Sequence, residues 1–188
     1  AVMRHRFALS GVHADPALPA VATLDNGVRV VVFRLPHLAT AAVSVFVRSG
    51  SQHESARTNG ISHFIEHMAF KGTRTRDCQQ INLDAERLGA DVNAHTDKDH
   101  TAFHMRGLAR DAGAFVGMLG DIVRESTFPE AELERERAVL LHEYAEVDDD
   151  ATVRIAEPDR LRRHEHAHAV VGHVLLQLTR HLAVEDGH

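Results

Sequence analysis

Hydrophobic and polar positions alternate with a period of two in several short segments of the chain, a pattern typical of β-strands. Five strands are expected, over residues 21–24, 28–35, 41–48, 90–96 and 100–106. The first two are joined by Asp25-Asn26-Gly27, and an Asn-Gly pair supplies the positive φ angles that a tight hairpin turn needs.

The hydrophobic period changes to that of a helix in four other segments. Helices are expected over residues 59–69, 77–88, 109–125 and 130–147. Gly72 is a typical stop after the first of them, and the side chain of Asp77 can cap the second. Because strands and helices do not alternate as βαβ units, we expect an α+β fold with a mainly antiparallel sheet and helices packed on one face.

Composition narrows the class of protein. The 188 residues are 44% hydrophobic and 26% charged, which suits one globular domain and excludes bulk disorder. The net charge of -6 argues against a dedicated nucleic-acid binder, and no apolar run reaches the roughly 18 residues of a membrane-spanning helix. One cysteine, Cys78, excludes an internal disulfide. We expect a soluble protein of a bacterial cytoplasm or periplasm, and the sequence does not decide between them.

The last part of the chain has a different character. Residues 151–188 hold six of the 16 histidines, and a helix is predicted from about residue 158 to residue 182. These histidines are expected to bind metal only adventitiously. We therefore divide the chain into a domain over residues 1–150 and a histidine-rich tail over residues 151–188.

The segment His63-Phe64-Ile65-Glu66-His67 carries the most informative chemistry. On a helix its apolar side chains form one stripe, and His63, Glu66 and His67 share an arc of about 100° on the opposite face. Two imidazoles one turn apart can bind one metal ion, and this H-x-x-E-H order is the inverzincin signature of catalytic zinc sites. The alternative is a solvated polar face with two incidental histidines.

A third zinc ligand is expected on the last predicted helix, because a catalytic zinc site has three protein ligands. Leu133, Leu140 and Tyr144 define the apolar stripe of that helix, and Glu136 and Glu143 lie at its edge. A metal ligand and its outer-shell partner would explain two carboxylates there, since an isolated buried carboxylate is costly. The alternative is that the pair turns out to solvent or meets a neighbouring arginine.

Two distant motifs make the sequence recognisable. Residues 63–73 closely resemble the zinc-site segment of the M16 (pitrilysin/insulinase) metallopeptidases, in particular the mitochondrial-processing-peptidase-like branch. Residues 134–143 resemble the second motif of that family, and Glu143 follows His67 by 76 residues, as the family spacing requires. Residues 24–27, 49–51 and 89–96 resemble the opening hairpin, the loop before the zinc helix and the substrate-receiving strand.

The resemblance covers residues 20 to 150 approximately and implies a single M16-type domain, the N-terminal half of a protein with two related halves. It implies one Zn²⁺ ion held by His63, His67 and Glu143, with Glu66 as general base and Glu136 as an outer-shell carboxylate. It further implies that Asn93 and Ala94 bind a peptide substrate as an added strand, for which an ordinary strand is the alternative.

Members of this branch are about twice as long as this chain, with two related halves that close around the substrate. The resemblance therefore implies a zinc metalloendopeptidase that needs a second M16-like half or subunit as its partner. The alternative is a non-catalytic or truncated half that acts as a binding or structural subunit. The complete metal motif favours the peptidase, and the missing half favours the alternative.

Three other histidines, His95, His100 and His104, have spacings that suggest a second metal site. The sequence fixes no acidic or thiol partner for them. Ordinary surface histidines are therefore the favoured interpretation.

Overall fold

The computed structural model describes residues 18–149, with side chains described as far as Tyr144. It divides the chain into two units, Ala1–Ala39 and Thr40–His188. The predicted helix over residues 158–182, like the rest of the histidine-rich tail, lies outside the described residues.

The first unit contains the predicted hairpin. Strands β1 (Ala20–Thr23) and β2 (Arg29–Val32) pair antiparallel, and β2 ends three residues earlier than the sequence suggested. In the turn Gly27 has a φ of 85°, whereas Asn26 keeps a negative φ and its side chain accepts a hydrogen bond from the Val28 amide at 3.1 Å. The prediction of positive φ at both turn residues is therefore wrong for Asn26.

The second unit is built on a three-stranded antiparallel sheet. Its strands are β3 (Thr40–Val47), β4 (Asp91–Thr96) and β5 (Thr101–Leu108), in the spatial order β3-β5-β4. A tight connection joins β4 to β5, closed by a 2.8 Å hydrogen bond from the Asp97 amide to the His100 carbonyl. The antiparallel prediction is confirmed.

Four α-helices accompany the described sheet: α1 (Ile61–Ala69), α2 (Cys78–Arg87), α3 (Ala112–Arg124) and α4 (Glu130–Asp149). The Asp77 side chain caps α2 as predicted, by accepting a 2.7 Å hydrogen bond from the Gln80 amide. Helix α3 starts later than predicted because a 3-10 turn, Ala109–Asp111, comes first. Within residues 18–149, none of the helices is both long enough and apolar enough to cross a membrane.

The main core lies between one face of the sheet and helices α1, α2 and α3. Alternate β5 residues Phe103 and Met105 point into it, and each faces partners on β3 and β4 across the sheet. The helices contribute Ala69, Ile81, Ala85, Phe115, Met118, Leu119 and Ile122. This one-sided packing confirms the predicted α+β arrangement.

Asp121 ties the loop that follows α1 to helix α3. Its Oδ2 atom accepts hydrogen bonds from Thr73 Oγ1 at 2.8 Å, Thr75 Oγ1 at 3.0 Å and Arg76 Nη1 at 2.6 Å. Burial alone would raise the pKa of this carboxyl, but the three donors outweigh burial and hold the pKa below its usual value. The charged carboxylate of Asp121 thereby holds this loop against α3.

We expect Asp121→Asn to lower the free energy of unfolding by about 1.5–3 kcal/mol at pH 7, because a neutral amide cannot replace the charged acceptor. Since the pKa of Asp121 is depressed in the folded state, its contribution is present above the ordinary carboxyl pKa and is lost as the pH falls through the folded value. The deficit of the variant should therefore shrink below about pH 4. Urea unfolding at several pH values measures both effects.

The matched control is Asp91→Asn, which breaks an ion pair with Arg106 in which both side chains are more than half exposed. Exposed pairs contribute roughly 0–1 kcal/mol, so this variant should stay close to the parent protein. An Asp121→Asn deficit that is the same at pH 3 and pH 7 would contradict the assignment.

Candidate metal centre

A carboxylate outside the helix fixes the start of α1. Glu54 accepts hydrogen bonds from the amides of Gly60 at 2.6 Å and Ser62 at 2.9 Å, which otherwise have no partner inside the helix. Gly60 has a φ of 88°, and a Cβ atom there would lie 3.2 Å from the Tyr144 hydroxyl. No local motif marks Glu54 in the sequence, because its capping role depends on the fold of the loop before the helix.

Helix α4 packs along α1 through a second apolar cluster. Phe64 and Met68 of α1 and Leu133 and Leu140 of α4 are almost completely buried in it. The α1 histidines were expected on the face opposite the apolar stripe, with a solvated polar face as the alternative, and their side chains are only 32% (His63) and 19% (His67) exposed. The predicted stripe on α4 is confirmed at Leu133 and Leu140.

Three predicted ligand side chains converge between these helices. The Nε2 atoms of His63 and His67 lie 3.2 Å apart, and Glu143 Oε2 lies 3.8 Å from the first and 3.7 Å from the second. Within the described part of the chain, no other group of three His, Cys, Asp or Glu residues brings its potential ligand atoms this close together. Three atoms at these separations can lie within bonding distance of one shared ion, because zinc binds nitrogen and oxygen ligands at roughly 2.0–2.2 Å.

The second ring nitrogen of each histidine faces α4. His67 Nδ1 lies 3.1 Å from Glu136 Oε2, and His63 Nδ1 lies 3.5 Å from the Tyr144 hydroxyl. With a proton on Nδ1, each imidazole donates to its α4 partner and keeps the Nε2 lone pair for a metal. The sequence anticipated Glu136 in this position. It assigned Tyr144 to the apolar stripe, where the ring does pack against the α1–α4 cluster, but it did not anticipate the contact of the hydroxyl with His63.

Burial of the His63 side chain favours its neutral form. The pKa of His63 lies below its usual value, first because of burial and second because of the neighbouring His67, although Glu66 and Glu143 act in the opposite direction. A neutral imidazole is the form that binds a metal ion. The electrostatics of the site therefore agree with its geometry.

Glu66 has a carboxylate oxygen without a partner. Its Oε2 atom is buried and makes no hydrogen bond, and it is one of two such side-chain atoms in the described residues. A buried acceptor left unsatisfied costs about 1–3 kcal/mol. Two imidazole nitrogens, one carboxylate ligand and a nearby unpartnered carboxylate oxygen form a donor set that fits a zinc ion with a reactive water.

Asn93 and Ala94 lie on β4, which pairs with β5 on one side and with no other strand of the described residues. Helix α1 packs against β4, and the Thr96 hydroxyl of β4 donates to the Ser62 carbonyl of α1 at 3.4 Å. The Ala94 amide donates to Asn93 Oδ1 at 2.8 Å. The predicted substrate strand is therefore at a sheet edge beside the helix that carries His63 and His67.

The other three histidines meet on the sheet face that points away from the core. The His95 ring lies 5.6 Å from the His100 ring and 5.9 Å from the His104 ring, measured between centroids. Asp99 lies 2.7 Å from His100 Nδ1, and this hydrogen bond lowers the pKa of Asp99. The rings are close, but their nitrogens do not converge on one point as those of His63 and His67 do.

Comparison with known proteins identifies relatives of this chain. The model of the family described as Insulinase (Peptidase family M16) matches residues 29–175. The chain is 41% identical over 128 residues to the mitochondrial-processing peptidase subunit beta of Mus musculus, covering 68% of this chain and 26% of that protein.

Two solved structures share the fold. The periplasmic protease PqqL from Escherichia coli is similar with a TM-score of 0.67 and 26% identity, over 73% of this chain and 16% of that one. A peptidase M16 inactive domain from Pseudomonas fluorescens is similar with a TM-score of 0.65 and 19% identity, over 71% of this chain and 32% of that one.

The chain spans about a quarter of the length of the curated relatives it matches. The family model nevertheless matches more than half of the chain, and that match includes both helices of the candidate metal centre. This chain therefore belongs to the insulinase family of peptidases, peptidase family M16.

Proposed function

We propose that this chain is the metal-binding half of a zinc-dependent metalloendopeptidase that cleaves extended peptides together with a second M16-like half or subunit. The observation that carries the proposal is the convergence of His63, His67 and Glu143 beside Glu66, whose buried Oε2 atom has no partner. Membership of a peptidase family and the likeness to a periplasmic protease support it.

His63 and His67 would hold one zinc ion through their Nε2 atoms, and Glu143 would hold it through a carboxylate oxygen. A bound zinc ion supplies Lewis-acid activation of water and of the scissile carbonyl group. Glu136 would act from outside this ligand set, by accepting the Nδ1 proton of His67 and keeping its ring in place.

Glu66 is the proposed general base. Its carboxylate would take a proton from the attacking water and then deliver that proton to the nitrogen of the leaving amine. A group with this role needs an oxygen that is not already engaged by the protein, and Glu66 Oε2 meets that requirement.

The edge of β4 is the proposed substrate site. An extended peptide would pair with Asn93 and Ala94 through backbone hydrogen bonds. The Ala94 amide, which donates to Asn93 Oδ1 in the present structure, would become available when the Asn93 side chain turns aside. Substrates should be flexible peptides, because a folded protein already uses its own backbone groups.

The partial coverage of the relatives supports the proposal of a second half or subunit. The chain covers 26% of the mouse relative, which is itself named as a subunit. One half with an open strand edge cannot enclose a peptide and exclude water, and both contribute to the rate. The alternative function, a non-catalytic binding or structural half, is favoured by this same short coverage.

We expect the full chain to bind one zinc ion tightly at this site. His63→Ala, His67→Ala and Glu143→Gln should each weaken the zinc affinity by more than the 10–100-fold typical of an outer-shell change. Glu66→Gln should keep the zinc, because Glu66 is not a ligand. Elemental analysis and competition with a chromophoric chelator measure stoichiometry and affinity.

The double variant His63→Ala/His67→Ala measures how much zinc all other histidines bind, including those of the tail. Tight zinc binding that survives in this variant would show that other residues hold the metal.

We expect Glu66→Gln to preserve the fold and the bound zinc and to lower peptide hydrolysis by about 10²–10⁴-fold, the typical contribution of a general base. The matched control is Glu134→Gln, a change at a largely exposed carboxylate on α4 that should leave the rate unchanged. Digestion of a library of unstructured peptides, read by mass spectrometry, measures the rate.

The same digestion tests whether cleavage requires a second half. The chain alone should be weak, and an M16-like half encoded beside it should restore cleavage. Full activity in Glu66→Gln would overturn the mechanism. Zinc binding without cleavage in every combination would establish the non-catalytic alternative.

A further inference from the structure

Lys71 makes a contact with the metal centre that none of the sequence motifs predicted. Its Nζ atom lies 2.5 Å from Glu136 Oε1, while the other oxygen of the same carboxylate lies 3.1 Å from His67 Nδ1. The lysine is therefore linked to the imidazole of a proposed zinc ligand through one carboxylate, by an ion pair on one oxygen and a hydrogen bond on the other.

The Lys71–Glu136 pair is largely removed from solvent. The side chain of Glu136 is 8% exposed and that of Lys71 is 22% exposed. A buried carboxylate is costly unless a cation and hydrogen bonds compensate it. The neighbouring Arg137 does not provide this cation, because its Nη1 atom pairs with Glu134 and its Nε atom has no hydrogen-bond partner.

A carboxylate that is held at both oxygens has a defined orientation. If Glu136 contacted His67 alone, its carboxylate could rotate about its last side-chain bond, and the imidazole could follow. With Lys71 on Oε1, the remaining oxygen stays directed at Nδ1, so Nε2 stays directed at His63 and Glu143. Fixed second contacts of this kind are what orient metal-binding histidines.

The backbone on the far side of Lys71 is itself well anchored. The Gly72 carbonyl accepts from the Thr127 amide at 3.0 Å, and Thr73 Oγ1 donates to Asp121 at 2.8 Å. Before Lys71, the Phe70 ring packs against the main core. The ammonium group is thus presented to Glu136 from a segment that helix α3 holds in place.

We propose that Lys71 is a positioning residue of the metal centre, which sets the orientation of His67 by holding Glu136. The proposal rests on the proposed zinc site described above. It assigns to Lys71 no contact with substrate or metal, only an effect that passes through the Glu136 carboxylate.

The test is the zinc affinity of Lys71→Met in the full chain, measured at pH 7.5 by chelator competition. Methionine keeps an unbranched side chain of similar length and removes the ammonium. We expect the affinity to fall by about 10–100-fold. The chain supplies a matched control, since its other lysine, Lys98, is exposed between β4 and β5, and Lys98→Met should leave the affinity unchanged. Lys71→Gln, a shorter neutral replacement, should shift the affinity in the same direction.

A double-mutant cycle separates positioning from general stability. Glu136→Gln should also weaken zinc binding, and the Lys71→Met/Glu136→Gln double variant should be no weaker than the weaker single variant, because both changes break the same chain of contacts. Thermal unfolding of the metal-free proteins is recorded in parallel. A lower unfolding temperature with an unchanged zinc affinity, or losses of affinity that multiply in the double variant, would overturn the proposal.

The outcome is distinguishable from failure of the zinc site itself. If His67→Ala retains the tight zinc ion, the metal centre is wrongly assigned whatever Lys71 does. If His67→Ala loses the ion and Lys71→Met binds it as tightly as the parent protein, the metal centre stands and the role of Lys71 is refuted.

Discussion

The packing of α4 along α1 is the constraint on which the candidate site depends. Phe64 and Met68 lie one turn apart on α1 and meet Leu133 and Leu140 of α4 in a nearly closed apolar cluster. Each such side chain contributes roughly 1.5–3 kcal/mol when it is buried. Because one residue of slip turns a helix by about 100°, this cluster also fixes which polar side chains of the two helices face each other.

The residue that leads into α4 has a strained backbone conformation, which helps to set this packing. Phe128, just before α4, has a φ of 47°, a left-handed conformation that costs an ordinary residue about 1–2 kcal/mol. Its ring packs against the α1–α4 cluster, so burial of the aromatic side chain offsets the backbone cost. Pro129 follows, and its fixed φ suits the start of the helix. The turn thereby directs Glu136 and Glu143 back over the α1 histidines.

Sequence reasoning was most successful where the signal is local or where a motif has a fixed spacing. Helical periodicity places His63 and His67 on one arc, and the second motif places Glu143 at the site. The contact of Lys71 with Glu136 could not be predicted in this way, because only tertiary packing brings the two residues together. The role of Glu54 could not be predicted either, because it depends on the conformation of the loop before α1. The turn at Asn26 was mispredicted although its contacts are local, because the Val28 amide donates a hydrogen bond to the Asn26 side chain and the turn then needs only one positive φ.

The distribution of groups within the chain indicates what a second half would contribute. The three proposed ligands, the unpartnered Glu66 oxygen and the β4 edge, which pairs with no further strand of residues 18–149, all belong to this one unit. A half with a purely structural role would gain stability by replacing Glu66 with a side chain that leaves no buried acceptor unsatisfied. On the proposed function, this unit would hold the zinc ion and supply the general base, and a second half would cover the β4 edge, exclude water and help to orient the peptide.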